Sequence, residues 1–164
     1  MLKKQNESHL KSTILKEENN MVIDKCTFME NVNDLIQVIR SDGYHNFDTR
    51  PALEMESLQI VIKEMKIQCD LNVESRLLNI GCGNGITSFH AAYDPGVMLS
   101  VGIDNDTYYH VIAESSLQKL SQQVQGNATE LCKNVASKCY FINNDITKYE
   151  KFNPFMHIFM QDQT

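Results

Sequence analysis

Three alternating glycines, Gly81, Gly83 and Gly85, close the short apolar run Leu77-Leu78-Asn79-Ile80. A consecutive aliphatic run is how a buried parallel strand reads, and glycine lets the chain turn sharply and approach a ligand closely at that strand's carboxyl edge. The pattern points to a loop that cradles a nucleotide-type cofactor. Two carboxylates stand at or just past the ends of later apolar runs. Asp104 ends a second apolar run, Ser100-Val101-Gly102-Ile103-Asp104, nineteen residues past Gly85, about where an acid meets a ribose hydroxyl pair in a strand-helix-strand unit. Asp145 follows a third run, Cys139-Tyr140-Phe141-Ile142, after Asn143 and Asn144. An Asn-Asn-Asp cluster also suits a plain turn, because these side chains bond their own backbone readily.

Elements that position these residues follow from periodicity. Strands are expected near 76–80, 99–104, 139–143 and 155–160. Ile86 to Tyr93 reads as a helix whose N-terminal amides point back at the glycines. Thr107 to Val124 carries Val111, Ile112, Leu117, Leu120 and Val124 on or near one helical face, with Asp106 as N-cap. Gly126-Asn127 interrupts that pattern, and Leu131, Val135 and Ala136 continue it in a shorter helix. Strands separated by helices cross over right-handedly, so the expected sheet is parallel in the order 3-2-1-4, with helices on both faces. Tyr108, Tyr109 and His110 follow Asp104 closely; one ring against a cofactor base and ordinary packing are both open. His157, inside the fourth apolar run, reads as a hydrogen-bonded core histidine.

The glycine spacing helps choose the cofactor. A dinucleotide fingerprint places a third glycine or alanine three residues after the second, and here that position is Ile86. Gly81-x-Gly83-x-Gly85 instead resembles motif I of the class I S-adenosylmethionine-dependent methyltransferases. The resemblance implies an α/β, Rossmann-like parallel sheet, here truncated after its fourth strand where that family has seven. It implies S-adenosylmethionine as cofactor, with the methionine part over Gly81, Cys82, Gly83 and Gly85, the ribose on Asp104 with Asn105 beside it, and the adenine amine on Asp145 next to Ile146. That family has an acid two residues before the first glycine; this chain has Asn79, which can hydrogen-bond but brings no charge. A weaker resemblance, to the non-SET histone-lysine methyltransferases, rests on acidic residues, here Glu54 and Glu56, ahead of the helix before motif I, and on Ala91-Ala92 after it. In those two glutamates a favourable charge at a helix start is the plainer reading.

Composition bounds the rest. With 164 residues, 42% hydrophobic and 22% charged, the chain is ordinary for a globular domain. A net charge of −6 and the lack of any basic run longer than two residues give no strong nucleic-acid signal. Cys26, Cys69, Cys82, Cys132 and Cys139 are odd in number and contain no C-x-x-C pair, which suits neither a disulfide framework nor a zinc site. No apolar run approaches the length of a membrane span and no N-terminal signal stands out, so a cytoplasmic or nuclear protein is expected. Residues 1–20 read as a polar tail and 21–70 as a helical segment. In the latter, Thr27 and Glu30 form a capping box ahead of Phe28, Val32, Leu35, Ile36 and Ile39, and Pro51 starts a second helix with Leu58, Val61, Ile62 and Met65 as its apolar stripe. Residues 71–164 then form the cofactor-binding core.

Gln161 and Asp162, just past the fourth strand, are the candidate catalytic residues, because open parallel sheets bind ligands outside the carboxyl ends of their strands. An amide and a carboxylate there would position and deprotonate an amine. The expected function is methyl transfer to a protein, with lysine as a candidate acceptor. The alternative is a noncatalytic module that binds a partner chain over its open sheet edge. An NAD or nucleotide-sugar enzyme is a third reading, which Ile86 argues against.

Overall fold

Consecutive aliphatics fix the strands, and the computed structural model places them where the runs lie. It describes residues 55–122 and 129–160, all within the second of the chain's two compact units, Leu35–Thr164. The elements in order are α1 (Met55–Gln68), β1 (Arg76–Ile80), α2 (Ile86–Tyr93), β2 (Leu99–Asp104), α3 (Thr107–Gln122), α4 (Thr129–Ala136), β3 (Cys139–Asn143), a 3-10 turn (Ile146–Lys148) and β4 (His157–Met160). The expected helix at 27–40, the 126–127 break, and Gln161 and Asp162 lie outside the described residues, as does Pro51, while α1 is the helix expected after it, with Leu58 and Ile62 of its stripe buried. Nor do the described residues include the polar tail.

The four strands form one parallel sheet in the order β3-β2-β1-β4, a Rossmann-like arrangement. Its register puts Asn79 beside Gly102, and Gly102 beside Phe141. The carboxyl ends of β1, β2 and β3 therefore share one edge, and the glycine loop springs from it. Beyond the ladder, Asn144 N donates to the Asp104 carbonyl at 3.0 Å, so the chain after β3 stays at that same edge.

All four described helices pack on one face. Phe89 and Ala92 of α2, Ala113 and Leu120 of α3, and Cys132, Val135 and Ala136 of α4 close over Cys139 and Phe141. Leu58 and Ile62 of α1 pack with Leu77, Ala91 and Val97. Burying branched and aromatic side chains of this size contributes about 1.5–3 kcal/mol each, which is what holds the helices down. The opposite face holds Leu78, Val101 and Ile103, buried with Ile146 and Phe155 against them, while Tyr140, Ile142, Ile158 and Met160 on the same face are exposed. A helix on this second face, as the sequence leads one to expect, is not among the described residues.

Three local readings change. β4 begins at His157 rather than Phe155, because Phe155 N turns back to the Phe152 carbonyl and only Met156 N first reaches β1, at the Arg76 carbonyl. Val111 is exposed, and Tyr109, Ile112, Ala113, Ser116 and Leu120 form the buried face of α3 instead. Cys132 joins Val135 and Ala136 in the core, a small apolar side chain that the α4 pattern did not single out.

Candidate functional site

The loop after β1 is built from backbone bonds. Gly81 N and Cys82 N both donate to the Ile103 carbonyl, at 2.8 and 3.2 Å, which stitches the turn to β2. Gly83 N donates to Asp104 Oδ2 at 2.9 Å. Gly85 N donates to the Cys82 carbonyl at 3.0 Å, and Ile86 N to Asn84 Oδ1 at 3.3 Å. Gly85 is the N-cap of α2 at φ 85°, a left-handed conformation that a side chain strains. A Cβ there would also lie 2.6 Å from Phe141 Cζ, so both space and angle require glycine.

Asp104 sits at the centre of this edge, 4% exposed. Its Oδ2 takes the Gly83 amide and its Oδ1 takes Asp106 N at 3.0 Å. These two backbone bonds, one to each oxygen, orient the carboxylate. Asn105 is exposed beside it. Asp106 caps α3 as expected, its Oδ1 accepting from Tyr108 N at 2.9 Å. Tyr109 is buried and Tyr108 exposed, with their rings edge-on at 5.3 Å, so the packing reading holds for the first and the surface is left to the second.

Asp145 reaches the same edge but is engaged locally. Its Oδ1 accepts from Thr147 N at 2.9 Å and from the Thr147 hydroxyl at 2.8 Å, capping the 3-10 turn. The Thr147 backbone bond, then the hydroxyl, holds its carboxyl below the usual carboxylate range. The turn role open in the sequence is thus realised. Ile146 places its side chain against Leu78, Val101 and Ile103 on the second sheet face, as packing.

Two residues of the motif turn inward. Asn79 is 2% exposed and its Nδ2 donates to the Ser88 hydroxyl at 3.1 Å, tying β1 to α2 beneath the loop. Cys82 is buried in the cluster with Phe89 and Phe141, and its Sγ donates weakly to the Gly83 carbonyl at 3.9 Å. Burial pushes the Cys139 thiol up to about 12, and it donates weakly to the Ser88 carbonyl at 3.7 Å. His157 Nε2 lies 2.7 Å from the Cys69 carbonyl, so the hydrogen bond expected of it is present, but the residue is half-buried at the surface and not in the core.

Sequence reasoning missed Gly102 and Phe141. A Cβ on Gly102 would lie 2.7 Å from Cys82 Sγ and 2.7 Å from Phe141 Cδ1. A single glycine inside a strand was the available signal, since it marks close approach of another group.

Asp104 closes β2 and Asp106 follows it, while Asp145 and Lys148 lie in the turn after β3. No group of three or more His, Cys, Asp or Glu able to hold a metal occurs among the described residues, and none of their helices is long and apolar enough to cross a membrane. No protein-family model matches the chain and no curated protein matches it. Among solved structures, it is similar to an SAM-dependent methyltransferase from Geobacter sulfurreducens in complex with S-adenosyl-L-homocysteine, at 19% identity and TM-score 0.48, over 74% of this chain and 40% of that one. A Thiobacillus denitrificans SAM-dependent methyltransferase with the same ligand matches at 20% identity and TM-score 0.45, over 70% and 37%. Magnesium protoporphyrin IX methyltransferase from Synechocystis PCC 6803 matches at 16% and 0.46, over 78% and 52%. The chain thus spans between 37% and 52% of the length of these three structures.

Proposed function

We propose that this chain carries a binding site for S-adenosylmethionine and serves methyl transfer. The observation that carries the reading is where the loop amides go. In phosphate-binding loops the N–H groups at the helix N-terminus point out at the ligand. Here Gly81, Cys82, Gly83, Gly85 and Ile86 all donate inside the protein, and the acceptor of Gly83 is the carboxylate of Asp104. A pyrophosphate would meet bonded amides and a negative edge. A cofactor with a ribose and no phosphate, joined to a cationic sulfur, meets a carboxylate for its hydroxyls and close glycine backbone for its chain.

Asp104 would hold the ribose hydroxyls through charge-assisted bonds, with Asn105 beside it. The backbone of Gly81 to Gly85 would lie along the methionine part. Asp145 would take the adenine amine while keeping its bond to Thr147. When bound, the sulfonium supplies an electrophilic methyl group, and the protein's part is positioning. The proposal extends to a protein acceptor, lysine included, with Gln161 and Asp162, which lie outside the described residues, as the groups that would position and deprotonate its amine.

Isothermal calorimetry with S-adenosylhomocysteine, ATP and NAD tests the reading. Saturable one-to-one binding of the first, with neither of the others binding, is expected; NAD or ATP binding more tightly would overturn it. A noncatalytic partner-binding module shares the same fold, and the exposed Tyr140, Ile142, Ile158 and Met160 favour it. Transfer of a labelled methyl group to any acceptor would decide against that second reading.

A further inference from the structure

The sheet under the loop is not flat. At the centre of β2, Gly102 leaves a gap into which two side chains descend: Cys82 from the loop and Phe141 from β3. A Cβ on Gly102 would lie 2.7 Å from Cys82 Sγ, 2.8 Å from Cys82 Cβ and 2.7 Å from Phe141 Cδ1. The other end of the same ring edge bears on the last glycine of the loop, with Cζ 2.6 Å and Cε1 2.8 Å from where a Gly85 Cβ would stand. One edge of Phe141 thus bridges the strand glycine and the loop glycine. Phe89 of α2 holds the ring from the side, edge-on at 5.2 Å. Phe141 and Cys82 are each 8% exposed, so neither meets a ligand directly.

We infer that Phe141, seated over Gly102 together with Cys82, is the positioning residue of the glycine loop, setting the spacing between its backbone and Asp104. The spacing is what the Gly83 to Asp104 bond of 2.9 Å measures. Glycine backbone has no side chain with which to lock itself, so a loop of alternating glycines needs a rigid support to hold one conformation. Cys82 supplies the loop's inward anchor and Phe141 its floor. An aromatic ring suits a floor because it is wide and has few torsions to freeze. The inference rests on the cofactor reading for its consequence, affinity, but not for its geometry.

The experiment uses the full chain and three variants: Gly102→Ala, Phe141→Leu and the pair combined. Amide hydrogen exchange without ligand reads the geometry, and calorimetry with S-adenosylhomocysteine reads the consequence. In Phe141→Leu the Gly83 amide should exchange about tenfold faster while the ladder amides of β1 and β2 keep their rates, because the opening is local. Affinity should fall by about tenfold alongside it. Gly102→Ala should do the same by pushing Cys82 and the ring upward. In the combined variant the smaller Leu gives the new methyl room, so its loss should be smaller than the product of the two single losses. Unchanged Gly83 exchange in both single variants would overturn the inference, as would faster exchange in all strands together, which marks a plain core residue. Faster Gly83 exchange with unchanged affinity would overturn it too. Should the unaltered chain fail to bind S-adenosylhomocysteine, the proposed function falls and the exchange rates still decide the geometry.

Discussion

Replacing Asp104 by Asn keeps the shape of the side chain and removes its charge, which makes the expected loss calculable. Both carboxylate oxygens accept a backbone N–H, from Gly83 at 2.9 Å and from Asp106 at 3.0 Å. The amide oxygen of Asn can serve only one of them, and its NH2 then faces the other N–H, donor against donor. Turning one charge-assisted bond into a neutral one costs about 1 kcal/mol, and leaving a buried donor unmatched costs about 1–3 kcal/mol. The sum, about 2–4 kcal/mol, is a sizeable part of the roughly 5–15 kcal/mol that stabilises a domain, yet leaves it folded. Because the chain has no Trp, urea unfolding is best followed by far-ultraviolet circular dichroism. Loss of the charged bonds to two ribose hydroxyls should weaken S-adenosylhomocysteine by about 1.5–3 kcal/mol, roughly 10- to 150-fold in Kd. A stability change under about 0.5 kcal/mol would contradict the two observed bonds, since even one bond to a charged group contributes more. Full stability loss with unchanged affinity would leave those bonds intact as reasoning and refute the ribose assignment.

His90 gives a pH prediction. Burial holds its imidazole down to about 4, with Asp94 opposing and Lys66 assisting. The unfolded chain therefore binds more protons than the folded one between its ordinary value of 6.5 and about 4, so this stability is complete above pH 6.5 and is lost as pH falls. Between pH 7.5 and 5 the loss should be about 2 kcal/mol by linkage, and unfolding curves of His90→Gln should lack that part of the slope. Asp145 has the depressed carboxyl, so its contribution is present above the ordinary carboxylate range and is lost as pH falls through its folded value; Thr147→Ala keeps the backbone N–H bond and loses only the hydroxyl, so it should reduce that sensitivity without removing it, read from the same curves. Asp145→Asn should weaken S-adenosylhomocysteine more than an analogue without the adenine amine, and equal weakening in calorimetry would leave Asp145 as a turn residue. Gly85→Val should abolish binding in the same assay, because φ 85° and Phe141 both exclude a side chain.

Strand positions were legible because parallel strands announce themselves as aliphatic runs, and β1, β2 and β3 fall where those runs lie. The sheet order followed, since crossover handedness removes most alternatives once helices separate the strands. Asp104 was legible for the same reason: a carboxylate closing a buried strand must lie at its end. Directions of side chains were not legible. Asn79 and Cys82 sit in the motif by number, yet one turns to Ser88 and the other into the Gly102 gap. A loop residue's inward or outward turn depends on what the neighbouring strand offers it, and a single segment carries no record of that. Val111 shows the same limit on a helix, where an apolar residue at the margin of the stripe faces out while Ser116 faces in, its hydroxyl bonded to the Ile112 carbonyl at 2.9 Å.

Gly102 is the position where local preference and site geometry pull apart. A strand buried on both faces favours branched residues, and β2 has them at Val101 and Ile103, both turned to the second face. On the first face it carries Ser100, Gly102 and Asp104, one small, one absent and one charged. Glycine inside a strand costs about 0.5–1 kcal/mol against alanine. Filling the vacancy with Cys82 and Phe141 offsets that cost through burial, at about 25 cal/mol per Å2 of apolar surface. A larger residue at 102 would make a better strand and a worse edge, because it would lift the loop away from the carboxylate two residues on. The small residue in β2, the inward thiol of the loop and the ring of β3 are thus one arrangement, and its product is the bond between Gly83 and Asp104.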